Sequence, residues 1–352
     1  MANKDAILMD MLTSVSDEHD KRPGNFFYDA LAPAAEQFEK VDAAIEAAKK
    51  KLDIRNLTGE ELEQRIYERT GIERKPATHA IGTATLAGTG MVRIGDLFET
   101  PGGIQFRVTE TKAISGSGTV SIEAVVVGAD GNVPANTITL FPITLAGFTS
   151  VTNPSPTADG FDAESDDDLL QRYYERIRTP ATSGNKAHYK NWAKEVPGVG
   201  DARVIPLWAG DNTVKVVIID SDKKPASSAI VADVQEYIDP GVTGTGEGAA
   251  PLGAFVTVVS AAGVSIDVSV TITLSAGYTL QQLTENISMS LTQYLKDIAF
   301  VEPMVSYAKV GATILESEGV EDYSGLTVNG GTANISVSIE EVAILGEVIV
   351  NV

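Results

Sequence analysis

Catalysis and metal binding need titratable side chains that can be brought together, and the histidines are the first place to look for them. His19, His79 and His188 fall in three different segments. None belongs to an H-x-x-x-H or H-E-x-x-H spacing, which would set two imidazoles on one helix face for zinc. They read as surface or capping histidines. Cysteine is absent, which removes thiolate nucleophiles, disulfides and cysteine-based metal sites and fits folding in a reducing cytosol. Asp166, Asp167 and Asp168 resemble a metal cluster at first sight. Ser165 and Asp168, however, have the spacing of a helix capping box, and the other two acids sit where the helix dipole favours negative charge. No calcium-loop glycine spacing follows them. There is no G-x-S-x-G nucleophile elbow and no Gly-Lys-Ser/Thr phosphate loop. Gly88, Thr89 and Gly90 lack the preceding strand and following helix of a dinucleotide fingerprint. The Gly-rich stretch from Gly241 to Gly253 could cradle an anion through backbone N–H groups. With no lysine or helix start close behind, it reads as a flexible loop. Glycosidase-like carboxylate pairs are recognised by separation in space, which spacing along a chain does not report. The residues therefore assign no catalytic group, no cofactor and no metal.

The elements that would have to position any chemistry are those of an ordinary globular protein. Of 352 residues, 43% are hydrophobic and 21% charged, enough to build two or three domains with their own cores. The balance of 48 acidic against 27 basic residues gives a formal charge of −21. Such a surface repels phosphate backbones and anionic lipid heads, so nucleic acid and membranes are expected non-partners. The few aromatics are not interleaved with basic residues as a single-strand binder requires. No apolar run approaches the ~18 residues of a membrane span, and the N-terminus does not read as a signal peptide.

The expected fold class is α+β and multidomain. Residues 1–76 read as helical, with a short stripe at Ile7, Met11 and Val15. A longer stripe follows at Phe27, Leu31, Ala34, Phe38, Val41, Ile45, Ala48 and Leu52, stepping by fours and threes as a coiled-coil seam does. Pro33 should break a single helix here and sit in the first turn of the main one. Thr58 and Glu61 have the spacing of a capping box. The stripe is either the inside of a helical hairpin or a seam for partner chains. Residues 77–158 change to short alternating runs cut by Gly and Pro, including Val92 to Phe98, Ile104 to Thr109 and Val120 to Val125, with a turn at Asp130 and Gly131. That is the texture of a small antiparallel β domain.

Residues 159–262 and 263–352 read as two related α+β modules. A helix near Asn185–Glu195 leads to Gly198-Val199-Gly200-Asp201, a strand, and alternating Val214, Val216 and Ile218. At a constant offset of 121 residues, a helix near Tyr307–Glu316 leads to Gly319-Val320-Glu321-Asp322, an apolar run, and Ile335, Val337 and Ile339. The ungapped match points to duplication, with a hairpin expected in each copy. Leu280, Leu283, Ile287, Leu291 and Tyr294 mark an apolar helix face between them.

Several ordered segments resemble the baseplate J-like family of Mu-like and related phages. They include RIGDLF at Arg93–Phe98, GGIQF at Gly102–Phe106 and ADGNVPANTI at Ala129–Ile138, where Asn136 stands in place of the family's usual glycine. SVTNP at Ser150–Pro154, GFDAES at Gly160–Ser165, Arg172 and Arg176, Gly184, Tyr189, Trp192 and VPGV at Val196–Val199 continue in the family's order. DKRPG at Asp20–Gly24 with FYDALAP at Phe27–Pro33, and GVEDY at Gly319–Tyr323, are similar to members from prophages and tail-like bacteriocins of Gram-positive bacteria. The resemblance implies a structural wedge protein of a contractile tail baseplate, not an enzyme. It implies pairing with itself, contacts with other wedge proteins and with hub or sheath-initiating proteins, and no cofactor. It further implies assembly in the host cytoplasm and a place in the virion or tail-like particle. Phe27, Leu31, Phe38, Val41, Ile45 and Leu52 become the candidate partner-helix seam, and the Thr152–Asp162 loop and the Ser260–Gly263 link become candidate hinges. The alternative is a tail-tip adhesin or receptor-binding protein.

Overall fold

The computed structural model describes residues 3–179, 182 and 184–352. They divide into two units, one of Met1–Arg74 with Ser165–Glu175, the other of Lys75–Glu164 with Arg176–Val352.

The first unit is helical. Asn3 caps α1 (Lys4–Thr13) by accepting from the Ala6 N–H, and α1 lays Leu8 and Leu12 on the first half of α2 (Phe26–Lys50). Contrary to expectation, α2 begins at Phe26 and runs straight through Pro33. The proline forfeits one backbone hydrogen bond, while Ala35, Leu31, Tyr28 and Phe27 gain a packed interface with α1 that offsets it. α3 (Gly59–Thr70) packs Leu62 and Ile66 on Leu169 and Tyr173 of α4 (Asp166–Arg178), whose residues up to Glu175 belong to this unit. The Thr58 hydroxyl makes no cap. Asp166 supplies it from a distance in sequence: its Oδ2 accepts from the Gly59 N–H at 2.9 Å, and its Oδ1 pairs with Arg74 at 2.6 Å. These partners hold its carboxyl below the usual range, the Gly59 N–H first and Arg74 next. The Ser165 cap forms, its Oγ accepting from the Asp168 N–H at 3.1 Å.

The second unit opens with an antiparallel sheet of β1 (Ile81–Val92), β2 (Leu97–Glu99), β3 (Gln105–Val108), β4 (Lys112–Ala124) and β5 (Phe148–Thr152), in the order β2-β3-β4-β1-β5. Residues 93–96 form a turn rather than part of one long strand, closed by Asp96 accepting from the Arg93 N–H. Alternate residues bury Leu86, Phe98, Phe106 and Ile122 in a core shared with Ile138. Asn153 lies beneath, with no exposed surface. Its amide donates to the carbonyls of Pro134 and Ser155, and its oxygen accepts from the N–H groups of Thr137 and Ile138.

Next come α5 (Lys186–Glu195), β6 (Val199–Pro206), β7 (Thr213–Asp220), α6 (Ser228–Ile238) and β8 (Phe255–Ser260). β7 is central, antiparallel to β6 and parallel to β8, and α5 and α6 cover one face through Tyr189, Ala193, Ile230 and Val234. The last part contains β9 (Ala262–Leu274), α7 (Leu280–Ile298), β10 (Met304–Val305), α8 (Tyr307–Leu315), β11 (Val320–Val328), β12 (Ile335–Ser336) and β13 (Glu341–Asn351). Here β9 is central, antiparallel to β11 and parallel to β13, over Leu283, Ile287, Leu291 and Leu295 of α7.

The repeated Gly-Val-x-Asp has a structural meaning in both copies. Gly198 and Gly319 take left-handed φ values of +83° and +93° after α5 and α8, a conformation that stops a helix and strains any residue with a Cβ. The next residues carry a bulge at the same place, between Val199 and Asp201 in one copy and Val320 and Asp322 in the other. The repeat ends there. β6 pairs with the strand that follows it, whereas β11 pairs with β9, which precedes it, and Ile335–Ser336 pairs only with β10. The expected second hairpin is replaced by a sheet whose central strand comes from earlier in the chain.

The two parts meet in a shared core of Val217, Ile219, Ala261, Ala299 and Val342. Arg203 Nη1 donates to the Ser338 and Ile339 carbonyls, its guanidinium 4.5 Å from the Phe300 ring centroid, and Lys215 pairs with Glu340 at 3.0 Å.

Candidate functional site

Two of the three histidines are engaged locally. The His19 ring lies 4.6 Å from that of Phe27, and the His188 ring stacks 3.9 Å from Trp192. His188 Nδ1 accepts from the Gly184 N–H, and burial, then Arg176, lower its pKa. His79 Nδ1 is buried without a hydrogen-bond partner. Among the described residues no three of His, Asp and Glu are grouped to hold a metal ion, and no helix is long and apolar enough to cross a membrane. The Gly-rich loop is fastened by its own protein. Asp239, 2% exposed, accepts from the N–H groups of Thr243, Gly244 and Val256, so a carboxylate of the chain already occupies the place an external anion would take.

Asp220 is the clearest perturbed acid. It ends β7, and its Oδ1 accepts from the Lys224 N–H at 2.8 Å. Burial pushes its carboxyl up from 3.8 to about 6, opposed by that hydrogen bond and assisted by Asp222. A folded-state pKa above the unfolded one means stability that is complete below about pH 4 and lost as pH rises through about 6. Asp220→Asn keeps the acceptor oxygen and removes the charge. It is expected to add about 1–2 kcal/mol above pH 6 and nothing near pH 4. Melting curves of both proteins at the two pH values check this; an equal gain at both would exclude ionisation as the cause.

What remains is surface that the chain leaves uncovered. The six seam residues part into two groups. Phe27 and Leu31 turn inward against α1. Phe38, Val41, Ile45 and Leu52 are 52%, 51%, 47% and 72% exposed, the first three along the second half of α2 and Leu52 just beyond its end. The stripe thus divides into a half packed within the chain and a half that is exposed. The candidate hinges are not slack. Thr157 Oγ1 donates to the Gly131 carbonyl and accepts from the Val133 N–H, beside the Asn153 network. At the other link, Ala261 N–H donates to Ile218 and Ala262 N–H to Glu340.

Comparison with known proteins matches three family descriptions along the chain: the baseplate J-like protein barrel domain at residues 80–160, the baseplate J-like central domain at 181–260 and the baseplate J-like protein C-terminal domain at 266–351. The chain belongs to the baseplate J-like family. It is accordingly a structural protein of a phage tail or tail-like contractile particle. The phage-like element PBSX protein XkdT of Bacillus subtilis (strain 168) is 33% identical over 345 residues, covering 98% of this chain and 96% of that one. Baseplate protein gp47 of Escherichia phage Mu is 31% identical over 188 residues, 49% of this chain and 51% of gp47. A chain in the anti-feeding prophage baseplate structure aligns over 99% of both chains with 11% identity and a TM-score of 0.40. Within this baseplate J-like chain, α6 is an element that sequence reading passed over. Ser227 caps it, and Ile230, Val234 and Ile238 at helical spacing were the available signal.

Proposed function

We propose that this chain is a baseplate wedge subunit that links wedges into a ring around the central hub and transmits the switch that triggers contraction. The observation that carries the reading is the uncovered apolar face of α2, at Phe38, Val41 and Ile45, beside a core fully built elsewhere. A lone helix of such length is marginal in water and gains most of its stability from a packed face. The face therefore calls for helices of another wedge protein, and the chain would also pair with a second copy of itself. The kinship with gp47, a baseplate protein of phage Mu, and with XkdT of a phage-like element supports the place. The four-part division at 1–76, 77–158, 159–262 and 263–352 is our proposal for the working parts. The role is mechanical rather than catalytic, and assembly takes place in the host cytoplasm.

Deleting the gene and imaging particles by negative-stain electron microscopy, with complementation as control, tests the reading. Loss of sheathed tails is the expected result. Intact tails lacking only a tip feature would make the protein an accessory adhesin instead.

A further inference from the structure

In a chain of charge −21, one cleft is locally basic. The link between β7 and α6, the C-terminal half of α7 and the start of β13 enclose a cavity of about 450 Å³. Lys223, Lys224 and Lys296 line it against a single carboxylate, Asp222. Lys296 pairs with Asp222 at 3.0 Å, and Lys223 Nζ donates to the Gly200 carbonyl. The exposed Lys224 side chain has no carboxylate within ion-pair distance among the described residues. Asp220 lies beneath the same turn, holding the Lys224 N–H, and does not line the cavity. Leu295, Ile344 and Leu345 form the apolar part of the lining.

We propose that this cleft receives a short peptide segment of a different baseplate protein, one carrying acidic side chains beside bulky apolar ones. An inorganic anion would satisfy Lys224 and leave the apolar lining wet. An apolar segment would leave an unneutralised ammonium at its rim. Only a segment with both kinds of side chain uses both the basic and the apolar parts of the lining, and its charge supplies the complementarity that fixes register between protein surfaces. The inference rests on the assembly reading, but its test is independent of particle formation, so either can fail without the other.

The test uses the purified full chain and a fluorescein-labelled peptide of sequence GDLEFG, followed by fluorescence anisotropy. Saturable binding is expected, weakened about tenfold or more by Lys224→Glu. The residue is exposed, so an unchanged melting temperature should accompany the loss. Replacing the peptide's two acids by amides, or its leucine and phenylalanine by glycine, should each abolish binding. Absence of binding, or equal binding to the Lys224→Glu variant, overturns the proposal. So does retained binding of the glycine-substituted peptide with displacement by inorganic phosphate, which would mark a simple anion site. Self-association of the protein that disappears in Lys224→Glu would make a second copy the occupant and overturn it as well.

Discussion

Replacing Asn153 with leucine is expected to destabilise the protein by about 3 kcal/mol or more, although the two side chains are close in size. Asn153 is 0% exposed and makes four hydrogen bonds of 2.8–2.9 Å, two donated and two accepted. All four partners are backbone groups of residues 134–155, the stretch that closes the β domain after β4. Leucine would leave two carbonyls and two N–H groups facing an apolar side chain. A buried group robbed of its partner loses its full hydration, about 1–3 kcal/mol each, moderated where the loop can open to water. Asn153→Asp is a sharper version, because it still accepts both N–H groups and turns a carboxylate oxygen toward two carbonyl oxygens. Chemical denaturation of the full chain measures both. A leucine variant within about 0.5 kcal/mol of wild type would mean that water replaces the amide and that the loop is not held as described.

The second large effect concerns assembly rather than folding. Val41→Asp combined with Ile45→Asp should leave the melting temperature nearly unchanged and abolish incorporation into particles. Both side chains are about half exposed and belong to no core cluster of the chain. Placed in a partner interface, each would contribute about 1.5–3 kcal/mol on burial, and each introduced carboxylate would have to be desolvated without a counter-ion. The summed loss exceeds about 5 kcal/mol, a fall of more than a thousandfold in affinity. Counting sheathed particles and assaying them for the variant chain decides the matter. Normal incorporation would remove the α2 face from the interface. Phe27→Ala provides the contrast, since its ring packs with α1 and should affect stability as well.

Much of the fold could be read from the residues because the signals were local. The Ser165 cap of α4, the alternation in β3 and β4 and the face of α7 each declare themselves within a few positions. The family motifs added their order. What could not be read depended on distant partners. Pro33 is tolerated inside α2 because α1 packs on its neighbours Leu31, Ala32 and Ala35, and the start of α3 at Gly59 is capped by Asp166, 107 positions away. The repeat predicted a second hairpin because spacing describes succession, whereas strand pairing is settled by packing. β11 pairs with β9, which shares its core with α7. The stripe was legible, but not its division, since the same heptad spacing describes a packed half and an exposed half equally well.

The position of β13 in its sheet has a consequence for how the protein is made. β13 pairs in parallel with β9, joining Glu341 to Ala262 and Asn351 to Thr271. The same strand delivers Val342 to the core that covers Val217 and Ile219 of β7. Until β13 emerges from the ribosome, β9 lacks one neighbour and the far side of the preceding sheet is only partly covered, by Ala261 and Ala299. Closing so long a loop is slow compared with forming the helices. During synthesis, then, the apolar underside of β7 is a surface for chaperones to hold, and a prematurely terminated chain would keep it. Such chains would be sorted toward degradation before they could compete for a place in the particle.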